Sequence, residues 1–355
     1  MMNNPDILIE FYKIFAYIII FIGFFQSGVL RNVMFDSRFL VFLIIIVCIT
    51  AFGLAPEDAA AAVDRENYQI YYLSVNNVLY TSSITEKGFF YFCKICRFLL
   101  GRKATLFFLL CATIYIGSYN RAIKQLSTNG FYTWLFCLLS IGFLAYSVNT
   151  MREGLAIAVF LLGVCSFFKN NRFYFIAYSL IAVSIHVSLL LPVLCFFITT
   201  QRINIRFCYA VWIGAFLLSL LGLSSYITQF SEILQIDKLS GYLNNLDSER
   251  YKTGFRWGFV IYSLFPMVLG GLLIYRYKYS NEVYLKIYKT YILVNAIWLL
   301  FIQIPFTDRI AYLSWFMIPF VITIPLVDKE SGIKSKHLFL AVSIVVLLLA
   351  RFVSG

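Results

Sequence analysis

Charge is scarce in this sequence. Only 13% of its 355 residues are Asp, Glu, Lys or Arg, about half of the ~25% typical of soluble domains. A soluble globule of this length needs far more polar surface, so that class is excluded, and disordered chains are excluded with it. Histidine is scarcer still, with two residues. No clustered ligands accompany them, so neither a metal site nor a cofactor is expected. The eight cysteines are scattered, which excludes a secreted disulfide scaffold. Cys48, Cys111, Cys137, Cys165, Cys195 and Cys208 fall inside apolar runs and read as small hydrophobes. Cys93 and Cys96 sit three apart, but no βαβ pattern surrounds them to make a redox motif. Nucleotide signatures are missing: there is no G-x-x-x-x-G-K-[ST] loop and no G-x-G-x-x-G after a strand. There is no run of spaced arginines for voltage sensing and no selectivity-filter sequence.

What the chain has is apolar length. Hydrophobic residues make up 61% and aromatics 19%, led by 37 Phe and 25 Tyr; mean hydropathy is +0.83. Apolar runs fall near 12–30, 39–55, 104–119, 131–148, 153–168, 173–199, 206–223, 257–275, 290–305, 310–327 and 337–353. A helix needs about 20 such residues to cross the hydrocarbon, so the chain reads as an all-α polytopic membrane protein forming a single transmembrane domain over 1–355. Asp6 and Glu10 precede the first run and no small-residue cleavage site follows it, so that run reads as an uncleaved span.

The run at 173–199 is too long for one straight span and carries His186 at its middle. Loop charge decides how to read it. If it folds as two short helices hinged near His186, the loops at 31–38, 120–130, 169–172, 201–206, 276–289 and 328–337 share one face. Those loops carry fifteen Lys and Arg against four acids: Asp36, Glu282, Asp328 and Glu330. Read as one span, it would send the basic stretch from Arg276 to Lys289 outside, against the positive-inside tendency. The hinged reading gives about 12 helical passes, counting short or re-entrant ones. The net charge of +12 then reports membrane orientation rather than a nucleic-acid partner. Two stretches lie on the outer face, 56–103 and 224–256. The first ends in Glu86–Leu100, a mixture of apolar and basic residues expected to form an interfacial amphipathic helix.

Ionisable groups at membrane depth cost about 2.5–3.5 kcal/mol and usually mark function. Three places carry them, all toward the outer face. Asn149-Thr150-Met151-Arg152-Glu153-Gly154 joins two apolar runs. Arg152 and Glu153 either pair and snorkel, or Arg152 holds an anionic group with its fork of donors. His186, in Ser184-Ile185-His186-Val187-Ser188, needs a polar cavity or a partner. Its imidazole suits proton transfer or orientation of a substrate oxygen. Asp308 and Arg309 follow Pro305 at a third tight link; they form a turn pair, or Arg309 is a second phosphate-holding group converging on Arg152. Arg250, Lys252 and Arg256 add a basic approach surface on the second outer stretch.

At these residues the chain resembles the EpsG-type family of bacterial polysaccharide polymerases, within the broader Wzy O-antigen polymerase group. The likeness rests on Asn149-Thr150-Met151-Arg152-Glu153-Gly154-Leu155-Ala156, the basic turn Lys169-Asn170-Asn171-Arg172, and His186 followed by Val187 and Ser188. Upstream, Asp64, Tyr68 and Tyr72 match a D-x-x-x-Y segment, and Glu86-Lys87-Gly88-Phe89 matches E-P-G-F with Lys in place of Pro. Arg309, followed by Tyr312, matches a late-span Arg. Members commonly carry Gln where this chain has Glu153.

The resemblance implies a GT-C-like glycosyltransferase of the bacterial inner membrane. Such an enzyme joins oligosaccharide repeats carried on undecaprenyl diphosphate at the periplasmic face. It implies Arg152 and Arg309 as diphosphate clamps and His186, then Glu86, as the group that orients or deprotonates the acceptor hydroxyl. Asp64, Tyr68 and Tyr72 would contact sugars, and Asn149, Arg250 and Arg256 belong to the implied substrate-binding set. The implied partners are the undecaprenyl-diphosphate-linked glycan, the lipid bilayer and a chain-length regulator protein, with no cofactor. Two rivals share the cationic site: a flippase of lipid-linked sugars, for which mid-membrane charges and paired repeats are expected, and an O-antigen ligase with the same leaving group. An acyltransferase of surface sugars is a third.

Overall fold

The computed structural model describes residues 6–28, 37–56, 64–77, 86–222, 254–304 and 307–354, and among these the secondary structure is helical throughout. Among the described residues, seven helices are long and apolar enough to cross a membrane, or eight if one bent pair counts as a span; four shorter apolar helices accompany them. The protein is a polytopic α-helical membrane protein. It forms two compact units, residues 1–190 with 322–345, and residues 191–321 with 346–355.

The first unit is built on α1 (Ile7–Gly28), α2 (Ser37–Leu54), α3 (Arg65–Ser74), α4 (Lys87–Leu100), α5 (Ala104–Leu126), α6 (Gly130–Leu139), α7 (Ile141–Val148), α8 (Met151–Phe168) and α9 (Arg172–Ile185). Helices α5 and α8 run in the same direction, since the Gln125 amide donates to the Cys165 carbonyl near both C-terminal ends. Helix α2 runs opposite, so its C-terminus lies at the end where α5 and α8 begin. Arg65 seals that C-terminus. It is 2% exposed, donates through Nη1 to the Phe52 carbonyl at 2.9 Å and through Nη2 to Gly53 at 2.8 Å, and lies 3.9 Å over the Phe108 ring. Carbonyls at a helix C-terminus have no partner within the helix and carry its negative dipole end, so a cation held there answers both needs.

Two breaks interrupt the apolar runs. The run at 173–199 divides as the hinged reading expected: α9 stops at Ile185 and His186 is extended (φ −146°, ψ 117°). A short 3₁₀ turn over Val187–Leu189 follows, and then α10 (Leu190–Thr200). The run at 131–148, expected as one span, is instead α6 and α7 bent by 77°. Ser140 makes that bend. Its extended backbone lets its N–H close onto the Phe136 and Cys137 carbonyls while its own carbonyl accepts from Phe143. Apolar periodicity cannot register this, because both halves are apolar on every side.

The second unit contains α11 (Ile205–Leu220), α12 (Trp257–Tyr277), α13 (Glu282–Leu300) and α14 (Thr307–Trp315); α10, α15 (Ile318–Val327) and α16 (Lys336–Ser354) contribute residues to both units. Its helices are joined by buried polar pairs. Trp212 donates to Asn295 Oδ1 at 2.8 Å and Asn295 to Ser314 at 3.1 Å. Trp315 donates to Ser263 at 2.7 Å and Trp298 to Thr307 at 2.9 Å. Within a bilayer apolar contact gives no hydrophobic drive between helices, so such pairs and close packing fix the arrangement.

Candidate functional site

Three ionisable side chains of the first unit meet where α4 begins, α8 begins and α9 ends. Glu86 stands just before α4, Arg152 in the first turn of α8 and His186 directly after α9. Arg152 Nη1 lies 2.7 Å from Glu86 Oε2. The other carboxylate oxygen accepts the Val187 backbone N–H at 3.2 Å and lies 3.9 Å from His186 Nδ1. The glutamate is 9% exposed on its side chain, the histidine 21% and the arginine 36%. A carboxylate that buried needs its charge matched, and Arg152 together with Val187 does so. A cation in the first turn of a helix also opposes the helix dipole, which the glutamate offsets. The salt bridge leaves Arg152 further N–H groups, and its Nε is buried without a hydrogen-bond partner.

Two glycines permit the convergence. A Cβ on Gly88 would come within 2.6 Å of the Ser184 carbonyl oxygen, two residues before His186. One on Gly154 would lie 2.9 Å from the Tyr146 carbonyl carbon and closer still to its oxygen. Real Cβ atoms do not approach backbone so closely. Gly88 therefore lets the start of α4 rest against the end of α9, and Gly154 lets the start of α8 rest against α7.

His186 is held by its neighbour. The Ser188 backbone N–H donates to Nδ1 at 3.3 Å and the Ser188 hydroxyl lies 2.6 Å from the same atom. A backbone N–H can only donate, so Nδ1 is the acceptor and the ring hydrogen resides on Nε2. In this state the imidazole offers a donor at Nε2.

An aromatic shelf adjoins the triad. Phe89 takes the Arg152 guanidinium 5.9 Å above its ring and packs against Tyr68 at 6.0 Å and Tyr71 at 5.5 Å. Burial is the main cause that pushes the Tyr71 phenol up to about 12; Cys93 and Glu86 raise it further while Arg152 opposes them. Tyr71 thus keeps its hydroxyl proton at neutral pH. The Asn149 side chain accepts the Asp64 N–H at 2.9 Å, tying the start of α3 to the link before α8.

Of the sequence-predicted residues, Arg152, Glu86, His186, Asn149, Asp64 and Tyr68 gather in this region. Tyr72 turns away: it is fully buried, stacks on Phe107 at 4.3 Å and donates to the Gly101 carbonyl at 2.8 Å, so its ring offers a sugar no surface. Tyr71, Phe89 and Ser188 are the residues that the sequence reading left without a role. The signal for Tyr71 was its position three after Tyr68, one helical turn along the same face. Arg309, in the first turn of α14, and Arg256, whose guanidinium lies 5.2 Å over Phe259 at the start of α12, belong to the second unit. Arg250 lies outside the described residues. Cys93 and Cys96 are buried free thiols. Burial pushes Cys96 up to about 11 and Cys93 higher still.

A sequence profile described as the EpsG family matches residues 40–354, nearly the whole chain. No curated protein and no solved structure matches it.

Proposed function

The chain belongs to the EpsG family, and on that premise we propose that it is a glycosyltransferase that polymerises undecaprenyl-diphosphate-linked oligosaccharide repeats at the periplasmic face of the bacterial inner membrane. Family membership points to a polysaccharide-polymerase type of function. The observation that carries the finer reading is the meeting of Arg152, Glu86 and His186 beside an aromatic shelf at one end of the first unit.

The reaction joins an acceptor hydroxyl to the anomeric carbon of the growing chain. The bond from that carbon to the lipid diphosphate breaks, and its electron pair leaves with the diphosphate. Negative charge grows on the leaving oxygen, and a partly desolvated arginine stabilises it most strongly. Arg152 supplies this through the N–H groups that Glu86 does not engage, while Glu86 fixes the direction of the guanidinium. The His186 Nε2–H orients the reacting oxygens. Glu86 Oε1, the carboxylate oxygen that Arg152 does not engage and that lies 3.9 Å from His186 Nδ1, receives the acceptor's proton while Oε2 keeps the salt bridge. Tyr68, Tyr71 and Phe89 offer ring faces on which sugars lie. The opposite end of the unit carries Arg38, Arg121, Lys124 and Lys169, and the positive-inside tendency supports reading that end as the cytoplasmic one.

The test is glycan length in cells that lack the native gene and carry Arg152→Ala, with protein level and membrane insertion verified. Single repeats without long chains are expected. A normal chain-length ladder would refute the role of Arg152.

A further inference from the structure

Helix α4 lies across the end of the first unit. It starts at the site, where Glu86 meets Arg152 of the first turn of α8 and Gly88 rests against Ser184 near the end of α9. It finishes at Leu100, and Gly101, Arg102 and Lys103 lead directly into α5. Since α5 and α8 begin at the same end of the unit, both ends of α4 are at that end. Its 14 residues cover about 21 Å, so it runs across the spans rather than along them.

This helix has three sides. Phe89, Cys93 and Cys96 are buried against the unit. Tyr91, Ile95, Phe98 and Leu99 are exposed, Phe98 to 87%. Lys87, Lys94 and Arg97 fall in a strip between those two sides at the helical repeat, and Lys87 and Lys94 are exposed. From Lys87 through Lys94, Arg97 and Arg102 to Lys103 the chain carries no acid. The N-terminus of α5 that follows has no side-chain cap and no acid in its first turn, which leaves the positive end of its dipole unanswered by the protein.

We propose that α4 is an in-plane membrane anchor selective for anionic phospholipids, with Tyr91, Ile95, Phe98 and Leu99 among the acyl chains and Lys87, Lys94 and Arg97 against the headgroup phosphates. An apolar strip bordered by charge of one sign is what a bilayer interface accommodates, hydrocarbon on one side and phosphate on the other. A neutral lipid serves the apolar strip but leaves the cations without net countercharge, and a soluble anion serves the cations but leaves the apolar strip in water. Anionic headgroups answer both strips and the bare start of α5. The anchor holds Glu86, the residue directly before α4, at the depth of the lipid phosphates. The lipid contact does not depend on the glycosyl-transfer reading.

The test reconstitutes the full chain in bilayers of phosphatidylglycerol and phosphatidylcholine. The native cysteines are buried, so single added cysteines are labelled selectively. Nitroxides on Tyr91→Cys and Phe98→Cys are expected to lie within about 3 Å of the same depth, where an upright helix would separate them by about 10 Å. Both are expected to meet oxygen more than a water-soluble nickel chelate, and a nitroxide on Lys94→Cys the reverse. A fluorophore on Phe98→Cys is expected to be quenched about threefold more by doxyl-labelled phosphatidylglycerol than by doxyl-labelled phosphatidylcholine at equal mole fraction. Each cation near the surface gives roughly a fivefold effect, so Lys87→Gln with Lys94→Gln is expected to remove most of that preference. Labels at 91 and 98 about 10 Å apart in depth, equal quenching by the two lipids, or an unchanged preference in the double variant overturns the proposal. So does loss of the preference in millimolar sodium diphosphate at matched ionic strength, which would assign the cations to a soluble anion.

Discussion

Arg152 and Glu86 divide one task between exposure and burial. The guanidinium keeps an open side from which it can meet an anion, and the carboxylate, largely closed off from solvent, keeps it aimed. Glu86→Gln keeps the shape and removes the charge, so repeat-unit coupling is expected to fall about a hundredfold or more, measured as the initial rate of dimer formation. A rate within threefold of wild type contradicts a role for that carboxylate. Ser188 acts through His186 by holding Nδ1. Ser188→Ala is expected to lower kcat roughly tenfold at unchanged KM, with Ser188→Thr restoring it; equal losses in both variants would mark a packing role instead. The thiols near the site give a pH prediction. Cys96 is an acid whose ionisation is pushed up to about 11, so at pH 8 only about a thousandth of it is thiolate. Iodoacetamide labelling of Cys96 is expected to be slow at pH 8 and to rise about tenfold per pH unit until pH 11. Fast labelling at neutral pH would contradict this. Arg152 and His186 were legible in the sequence because a charge or imidazole inside an apolar run stands out. Tyr71 was not, because a row of tyrosines does not tell which ring is buried.

Helix ends and crossings position those side chains. Gly88 and Gly154 stand where two backbones touch, and each Gly→Ala change is expected to cost about 1–3 kcal/mol through overpacking and to part Glu86 from Val187 or Arg152 from Glu86. A lowered Tm in detergent together with lost coupling checks this. Gly117 is the control: a Cβ there meets nothing, so Gly117→Ala is expected to keep or raise Tm. Arg65→Ala removes the cap of α2 and is expected to destabilise the unit by about 2–3 kcal/mol, since two buried charged hydrogen bonds are lost. The break at His186 was legible from length, since a 27-residue apolar run exceeds one crossing. The bend at Ser140 was not. Ser140 is one small polar residue in an apolar stretch of ordinary span length, and its backbone conformation rather than its side chain makes the turn. The glycines were visible as motif letters, but a sequence does not say which backbone approaches them.

At the scale of the whole molecule, charge bias makes orientation testable. The native cysteines are all buried, so single cysteines placed at exposed Arg102 and Arg172 report the two ends of the first unit. In spheroplasts Arg102→Cys is expected to react with a membrane-impermeant maleimide, and Arg172→Cys only after permeabilisation. Labelling of both from one side contradicts the assignment of the triad to the outer face. The central claim is that this chain couples lipid-linked repeats at the Arg152 site. The most direct measurement supplies purified protein with a synthetic repeat unit on undecaprenyl diphosphate and follows the products. Wild type is expected to yield dimers and longer chains with release of the lipid diphosphate, and Arg152→Ala of the same fold and Tm to yield neither. Coupling by Arg152→Ala at the wild-type rate, or no coupling by the folded wild type, would contradict it.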